Sequence, residues 1–225
     1  MDSQSELPTK IEKIYEGIDK DVTWLHGKWK IYRQLYGTSQ ENIDLLNYSA
    51  STVFRVLQRV LYNDILLSLS RLTDPKTSFN KENRSLELLI SRIDSSKHEN
   101  LVSSMKVMLK VLRDQCEPFR IQRNKKIAHT DLDTALKVRS IPGVSRKQIG
   151  DALSTLSDLM NEYNNYFFGK PTLYEHFWMK ADGDTLIQIL QNYRDRMDEE
   201  DRIQINEFME YSKEKETNDK NIDNK

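Results

Sequence analysis

The stretch RNKKIAHTDLD at residues 123–133 holds the side chains of this sequence that are best suited to chemistry. Arg123 and His129 stand six positions apart, and Asn124 follows the arginine directly. Arginine is permanently charged, and its planar fork matches the oxygens of a phosphate group. Histidine can take up or release a proton near neutral pH. Arg123, Asn124 and His129 are therefore the candidate catalytic residues, and the chemistry they suit is proton transfer at a phosphate.

Each of these residues also has a purely structural interpretation. His129 lies near the predicted end of a helix, where the helix dipole favours a cation. Arg123 falls on the apolar stripe of the same predicted helix, one step after Phe119. A half-buried guanidinium is costly unless it is paired. A salt bridge from Arg123 to an acid on the second predicted helix would therefore explain its position without any catalytic role.

The spacing of Arg123 and His129 constrains how they could act together. Six residues of a straight α-helix leave the two side chains about 120° apart around the axis and about 9 Å apart along it. One straight helix therefore does not bring both to one phosphate. Either the helix loosens near Ala128, or a second copy of the helix supplies the missing half across a two-fold axis. The second alternative predicts a homodimer whose interface includes residues of about 105–131.

Positive charge is concentrated around this stretch. Between Lys106 and Lys147 eleven basic residues stand against four acidic ones, although the formal net charge of the whole chain is −1. Such segregation can attract the phosphate backbone of a nucleic acid. Arg120, Lys125 and Lys126 flank the candidate catalytic residues. They are the candidate RNA-binding residues, with a solvated helix face as the alternative for the two lysines.

Long helices must position these side chains. The 225 residues include only 7 Gly and 5 Pro, and the Val, Ile and Thr runs typical of strands are missing. Apolar residues recur every three or four positions. The pattern predicts an all-α fold, an antiparallel bundle of about five or six helices. One stripe on the third long helix runs from Leu101 to Phe119, and Pro118 should kink or break that helix.

A first helix is predicted from about Pro8 to Tyr36, and a second, central one over the following apolar run to residue 72. On the second helix Val53, Leu57 and Val60 lie on one apolar side, while Val56 and Leu67 lie elsewhere, so we expect this helix to contact several neighbours. Capping signals predict where the later helices begin. These signals are Thr38 with Glu41, Ser85, Ser96 with Glu99, Ser145 with Gln148, and Asp184.

The remaining features bound the class of protein. We expect one helical domain over residues 1–212 and a disordered charged tail over 213–225, where almost nothing is apolar. A single cysteine excludes an intrachain disulfide, and no apolar run reaches membrane-spanning length. We therefore expect a cytoplasmic protein. The four histidines show no paired ligand spacing, so we expect neither a metal nor another cofactor.

Three ordered segments carry a resemblance to a known family. RNKKIAHTD resembles the Arg–polar–His signature of the HEPN superfamily. LLSLSRLTDPKTSFNKENRSLELLI, together with the WKIYRQLYG of Trp29 to Gly37, resembles its AbiU-type abortive-infection branch. The likeness covers roughly Trp29 to Tyr193. It implies a homodimeric all-α bundle and metal-independent RNA cleavage, with Arg123, Asn124 and His129 in the catalytic roles. The His-x-Tyr continuation of one toxin branch is absent here, so regulation at such a tyrosine is not expected.

The leading hypothesis is thus a homodimeric, metal-independent endoribonuclease of toxin or antiphage type. Its products would carry 2′,3′-cyclic phosphate and 5′-OH ends. Its partners would be RNA, a second copy of the chain, and an antitoxin or another defence protein. The alternative is a catalytically silent helical dimer that binds nucleotide, RNA or a partner protein, and a third hypothesis is an oligomeric scaffold.

Overall fold

The computed structural model describes residues 9–124 and 143–222 of the chain. Within these ranges the fold is an all-α bundle, as predicted. Its helices are α1 (Thr9–Tyr36), α2 (Gln40–Leu72), α3 (Leu86–Arg92), α4 (Glu99–Gln122), α5 (Arg146–Phe168) and α6 (Gly183–Ile222). A short hairpin of β1 (Thr77–Ser78) and β2 (Lys81–Glu82) joins α2 to α3, and a 3₁₀ turn, Tyr174–His176, precedes α6. Helix α6 crosses residue 212, and the predicted division there into domain and tail stays a prediction.

The core forms where the predicted apolar stripes meet. Helix α4 packs against α5 and against α2, and α1 packs against α2. The stripe of α4 is buried, as the spacing predicts. Its fully buried members include Met105, Leu112, Cys116 and Phe119. This buried seam fixes the rotation of α4 about its axis, and therefore fixes where its arginines point.

Helix α2 contacts α1, α4 and α6, as expected, but part of its apolar surface is exposed. Val53, Leu57 and Val60 are 56%, 41% and 54% exposed. The core side of this helix is formed instead by residues such as Ile65 and Leu69. Ala50 has non-helical backbone angles (φ −164°, ψ 71°), which break the helical register between the first turns and the rest. Apolar side chains on two sides of a helix do not by themselves reveal which side will find a partner.

Two of the predicted caps are confirmed. Ser85 accepts a hydrogen bond from the Leu88 N–H, and Ser145 with Gln148 forms a complete capping box at the start of α5. The caps of α2 and α6 are each displaced by one or two residues. Ser39, not Thr38, accepts from the backbone N–H at the start of α2, and Asp182, not Asp184, accepts from the Thr185 N–H.

Thr38 and Asp184 bond elsewhere. The Thr38 hydroxyl donates to the last carbonyls of α1, and Asp184 accepts from Gln34. The box predicted from Ser96 and Glu99 does not form, because Ser96 bonds to Asp94 and α4 begins without a side-chain cap. A side-chain acceptor two residues away, such as Asp94, can bond to a predicted capping residue and prevent the cap from forming.

The sequence predicted that Pro118 would kink or break helix α4. The helix does not break there. It continues through the proline to Gln122, and a wider π-helical turn follows at residues 123–124. The N–H of Arg123 bonds to the carbonyls of both Arg120 and Phe119. A π turn widens the helical repeat at these two residues. The predicted loosening near Ala128 lies outside the described residues.

Candidate active site

The centre of the site is an ion pair between Arg123, just after α4, and Asp74, just after α2. The Nη1 of Arg123 lies 3.1 Å from each carboxylate oxygen of Asp74. The two side chains are only 20% and 25% exposed. The structural interpretation of Arg123 predicted a salt bridge to an acid on the second helix. That acid is Asp74, two residues after the end of α2. A guanidinium held in this way has one edge fixed and cannot swing freely.

Asn124 holds a second edge of the same guanidinium. Its Oδ1 accepts a hydrogen bond from the Nε of Arg123 at 3.0 Å. Asp74 and Asn124 thus contact different nitrogens of Arg123. The contact that the structure gives Asn124 is an orienting one, toward the arginine. Such preorganisation lowers the cost of placing the charge where a reaction needs it.

Arg120 lies one turn before Arg123 and anchors to the same loop. Its Nη2 donates to the Thr73 carbonyl at 2.7 Å and to the Thr73 hydroxyl oxygen at 2.6 Å. Its Nε lies 3.8 Å from Asp74. The Thr73 hydroxyl in turn donates to the Leu69 carbonyl at 2.9 Å. These contacts tie α4 to the end of α2, and the RNA-binding role assigned to Arg120 stays a prediction.

Arg113 is a third arginine that contacts the residues after α2, and it was not identified from the sequence as a site residue. Its Nε donates to the Thr73 carbonyl at 3.0 Å, and its Nη2 donates to Glu87 of α3 at 2.6 Å. That hydrogen bond is the largest of the effects that lower the pKa of Glu87. Arg113 and Arg120 are seven positions apart, close to two helical turns, so this spacing was the signal available in the sequence. Nothing in the sequence indicated that Thr73 would join them.

Cys116 lies between these arginines but is not a nucleophile. It is fully buried, and burial raises its pKa to about 12. A thiol rather than a thiolate therefore stands there at neutral pH, and a thiol is a poor nucleophile.

The other candidate residues, His129, Lys125 and Lys126, lie outside the described residues, so their positions relative to Arg123 stay predictions. Covalent geometry alone bounds the distance. Six residues span at most about 21 Å between Cα atoms, which is the upper limit on the distance from Arg123 to His129 of the same chain.

Two of the described histidines, His26 and His98, have structural partners. His26 is buried and its Nε2 lies 3.0 Å from the Ser157 hydroxyl, and His98 Nδ1 lies 2.9 Å from the Tyr166 hydroxyl. Across residues 9–124 and 143–222, no group of three or more His, Cys, Asp or Glu side chains is arranged to hold a metal ion. No helix in the same ranges is long and apolar enough to pass through a bilayer.

The arrangement can therefore present a fixed positive charge to an anion. Three guanidinium groups converge on Thr73 and Asp74, and two carboxylates, of Asp74 and Glu87, face them. Three arginines face two carboxylates in this cluster, so it carries one excess positive charge. A phosphate oxygen is a ligand that such a cluster suits.

Three kinds of comparison with known proteins bear on the identity of the chain. No curated protein and no solved structure is significantly similar to the chain. A family model described as AbiU2, of the HEPN type, matches residues 8–186, which include α1 to α5, the hairpin and every candidate site residue. A nuclease or abortive-infection function is what this assignment suggests. Because the match covers well over half of the sequence, the chain belongs to the AbiU2 family of HEPN domains.

Proposed function

We propose that this protein is a metal-independent endoribonuclease of toxin or antiphage type, acting as a homodimer. The observation that carries the proposal is the fixation of Arg123 by Asp74 and Asn124 on two edges of its guanidinium. A structural salt bridge needs only one partner. A charge held on two edges at the end of a helix, in the motif that gives the family resemblance, is suited to a reaction that develops negative charge at one point.

RNA carries its own nucleophile, so the protein has three tasks. The 2′-hydroxyl attacks the adjacent phosphorus while a base takes its proton, and His129 serves as that base. Arg123 stabilises the added negative charge on the phosphorane. The bond from phosphorus to the 5′-oxygen then breaks, and an acid delivers a proton to the leaving oxygen. The products are a 2′,3′-cyclic phosphate and a 5′-OH, and no metal ion enters the balance.

A symmetric dimer would supply both the base and the acid. Two copies of His129 at one groove allow one to accept the first proton and the other to donate the second. An exposed apolar stripe on α4 supports such an interface. Val107, Val111 and Ile121 are 65%, 47% and 39% exposed, and all three fall within the predicted interface of about 105–131. Exposed apolar side chains on one side of a helix are surface that a protein contact can bury.

The test uses RNA with and without its nucleophile. The purified protein is incubated in EDTA with an oligoribonucleotide and with the same sequence carrying 2′-deoxyribose. Cleavage of the first alone, with cyclic phosphate and 5′-OH ends, is expected. Loss of activity in EDTA that Mg²⁺ restores, or cleavage of the deoxy strand, would contradict the mechanism.

One observation favours the alternative of a catalytically silent dimer that binds nucleotide, RNA or an antitoxin-like protein. Both Arg120 and Arg123 are already engaged by partners in their own chain. If that engagement is their whole role, the protein binds without cleaving. Retention of an intact oligoribonucleotide on the protein, with no cleavage under any of these conditions, would identify that case.

A further inference from the structure

A second basic feature lies on the same helix as the candidate active site. We name it the α3–α4 cleft. It has a volume of about 420 Å³ and lies between α3 and the first half of α4. That volume is in the range of sites for small ligands and single nucleotides. Its lining includes four basic side chains, Lys76, Lys106, Lys110 and Arg113.

The floor and the rim of the cleft differ in chemistry. The floor is apolar and deeply buried, formed by Ile90, Ile93, Val102 and Leu109. The lysines stand at the rim and are exposed. Ser91 and Ser95 add hydroxyl groups to the lining. An apolar floor for a base, beside cations for a phosphate and hydroxyls for a sugar, is the combination that a nucleotide requires.

The positive charge of the cleft is not neutralised within it. Glu87 is the one acid in its lining, and its carboxylate is 2.6 Å from Arg113. No ion pair joins Lys106 or Lys110 to any residue in the described part of the chain. The two lysines are four positions apart and therefore lie on one face of α4, about 6 Å apart along the axis.

Arg113 connects the cleft to the candidate active site. It lines the cleft and also donates a hydrogen bond to the Thr73 carbonyl, which accepts another from Arg120. Thirteen residues of helix from Lys110 to Arg123 rise about 20 Å. A strand with a rise of about 3.4 Å per nucleotide covers that distance in at most about six nucleotides. Because Lys110 and Arg123 are about 140° apart around a straight helix, one RNA strand that reaches both places winds partly around α4.

We propose that the α3–α4 cleft binds a nucleotide of the RNA strand, a few positions away from the phosphate held at Arg123. This assignment rests on the proposed function for its substrate class. The lysines hold the backbone phosphate, and the apolar floor receives the base. The binding is the sequence-independent kind, since every nucleotide offers a phosphate and an apolar base face.

The test measures binding and not cleavage. The ligand is a fluorescent oligoribonucleotide with 2′-O-methyl groups throughout, so that no 2′-oxygen can attack. Its affinity is measured by anisotropy over a range of salt concentrations. Lys106→Gln/Lys110→Gln removes two charges from the rim. Lys10→Gln/Lys13→Gln removes two charges from exposed lysines of α1 and is the matched control.

We expect the cleft variant to bind at least about 10-fold more weakly near 0.1 M salt, and its salt slope to fall by about 1.4 for two lost contacts to a single strand. The control should stay within about 2-fold of the unaltered protein, as should Lys106→Arg/Lys110→Arg, because both keep the charge of the cleft. Equal binding by the cleft variant and its control would overturn the proposal. So would a failure of the unaltered protein to bind this RNA.

A second arm separates RNA from a free nucleotide. AMP and ATP are titrated into the same variants. Binding of a mononucleotide that depends on Lys106 and Lys110, while RNA affinity does not, would overturn the assignment to RNA. The cleft and the proposed function can fail independently. Lysine-dependent binding without any cleavage of ordinary RNA would support the cleft and contradict the ribonuclease. Cleavage of RNA whose binding does not depend on the lysines would support the ribonuclease and contradict the cleft.

Discussion

Asp74→Asn is the change that most directly tests whether the ion pair positions Arg123. It removes the negative charge and keeps the shape of the side chain. In the structure this carboxylate is shared by Arg123, with both oxygens 3.1 Å from Nη1, and by Arg120 at 3.8 Å. The amide of asparagine is uncharged and offers one acceptor oxygen in place of two, and its NH₂ group is a donor that cannot bond to an arginine. Arg123 should therefore lose its fixed orientation.

The magnitude follows from burial. Exposed ion pairs contribute about 0–1 kcal/mol, and breaking a fully buried pair costs about 3–5 kcal/mol. Arg123 and Asp74 are 20% and 25% exposed, so their pair lies between these limits. We expect Asp74→Asn to lower the free energy of unfolding by about 2 kcal/mol. For a domain of this size that corresponds to a fall in Tm of about 4–8 °C.

Cleavage should fall further than stability implies. A misplacement of a catalytic group by about 1 Å can cost about 100-fold in rate, and we expect that loss for Asp74→Asn. Melting is followed by circular dichroism, and cleavage by gel with a labelled oligoribonucleotide, at a temperature where both proteins are folded.

Asp21→Asn is the matched control. It breaks a pair with Arg84 at 2.8 Å whose side chains are 51% and 37% exposed. It should move the Tm by no more than about 4 °C and leave cleavage unchanged. If Asp74→Asn melts and cleaves like the unaltered protein while Arg123→Ala is inactive, Asp74 does not position the arginine and the reasoning is refuted.

Three further predictions concern His129, the dimer and His26. His129→Ala should abolish RNA cleavage and change the free energy of unfolding by less than about 1 kcal/mol; equal cleavage by the variant would end the enzyme hypothesis at this site. Mixing Arg123→Ala subunits with His129→Ala subunits should restore part of the activity, because a heterodimer with shared sites has one intact site; sedimentation as an active monomer would exclude sharing. Burial lowers the pKa of His26 to about 4, below the ordinary value of 6.5, so the unfolded chain binds the extra proton between these values. Stability should therefore be present above pH 6.5 and decline below it, by about 2 kcal/mol from pH 7 to pH 5. Urea unfolding of the unaltered protein and of His26→Gln at both pH values measures this, and an equal decline in the variant would assign it to other groups.

The helices could be predicted from the sequence because their causes are local. The α4 stripe from Leu101 to Phe119 repeats every three or four residues, and a repeat of that kind needs only the geometry of one helix. The cap at Ser145 likewise depends on a residue three positions away. The Arg–Asn–His stretch was visible for the same reason, since its residues adjoin in the chain.

The local sequence pattern did not determine which of two neighbouring residues caps a helix, or whether a helix continues through a proline. Thr38 and Ser39 are neighbours with the same chemistry, and only the path of the chain decided that Ser39 caps α2. Pro118 removes one N–H from α4, but packing of that helix against two others holds it together through residue 122. Several contacts outweigh one missing hydrogen bond.

The partners of the candidate site were decided by tertiary structure alone. Asp74 lies 49 residues before Arg123, and Glu87 lies 26 residues before Arg113. No periodicity links such positions. They meet because α4 packs against α5, α2 and α3 at one rotation, which turns its charged edge toward the loop after α2. The sequence by itself determined which side chains could do chemistry. The packing of the helices determined which acid holds Arg123. The physical reason is that a partly buried ion pair forms only where two chain segments exclude water together.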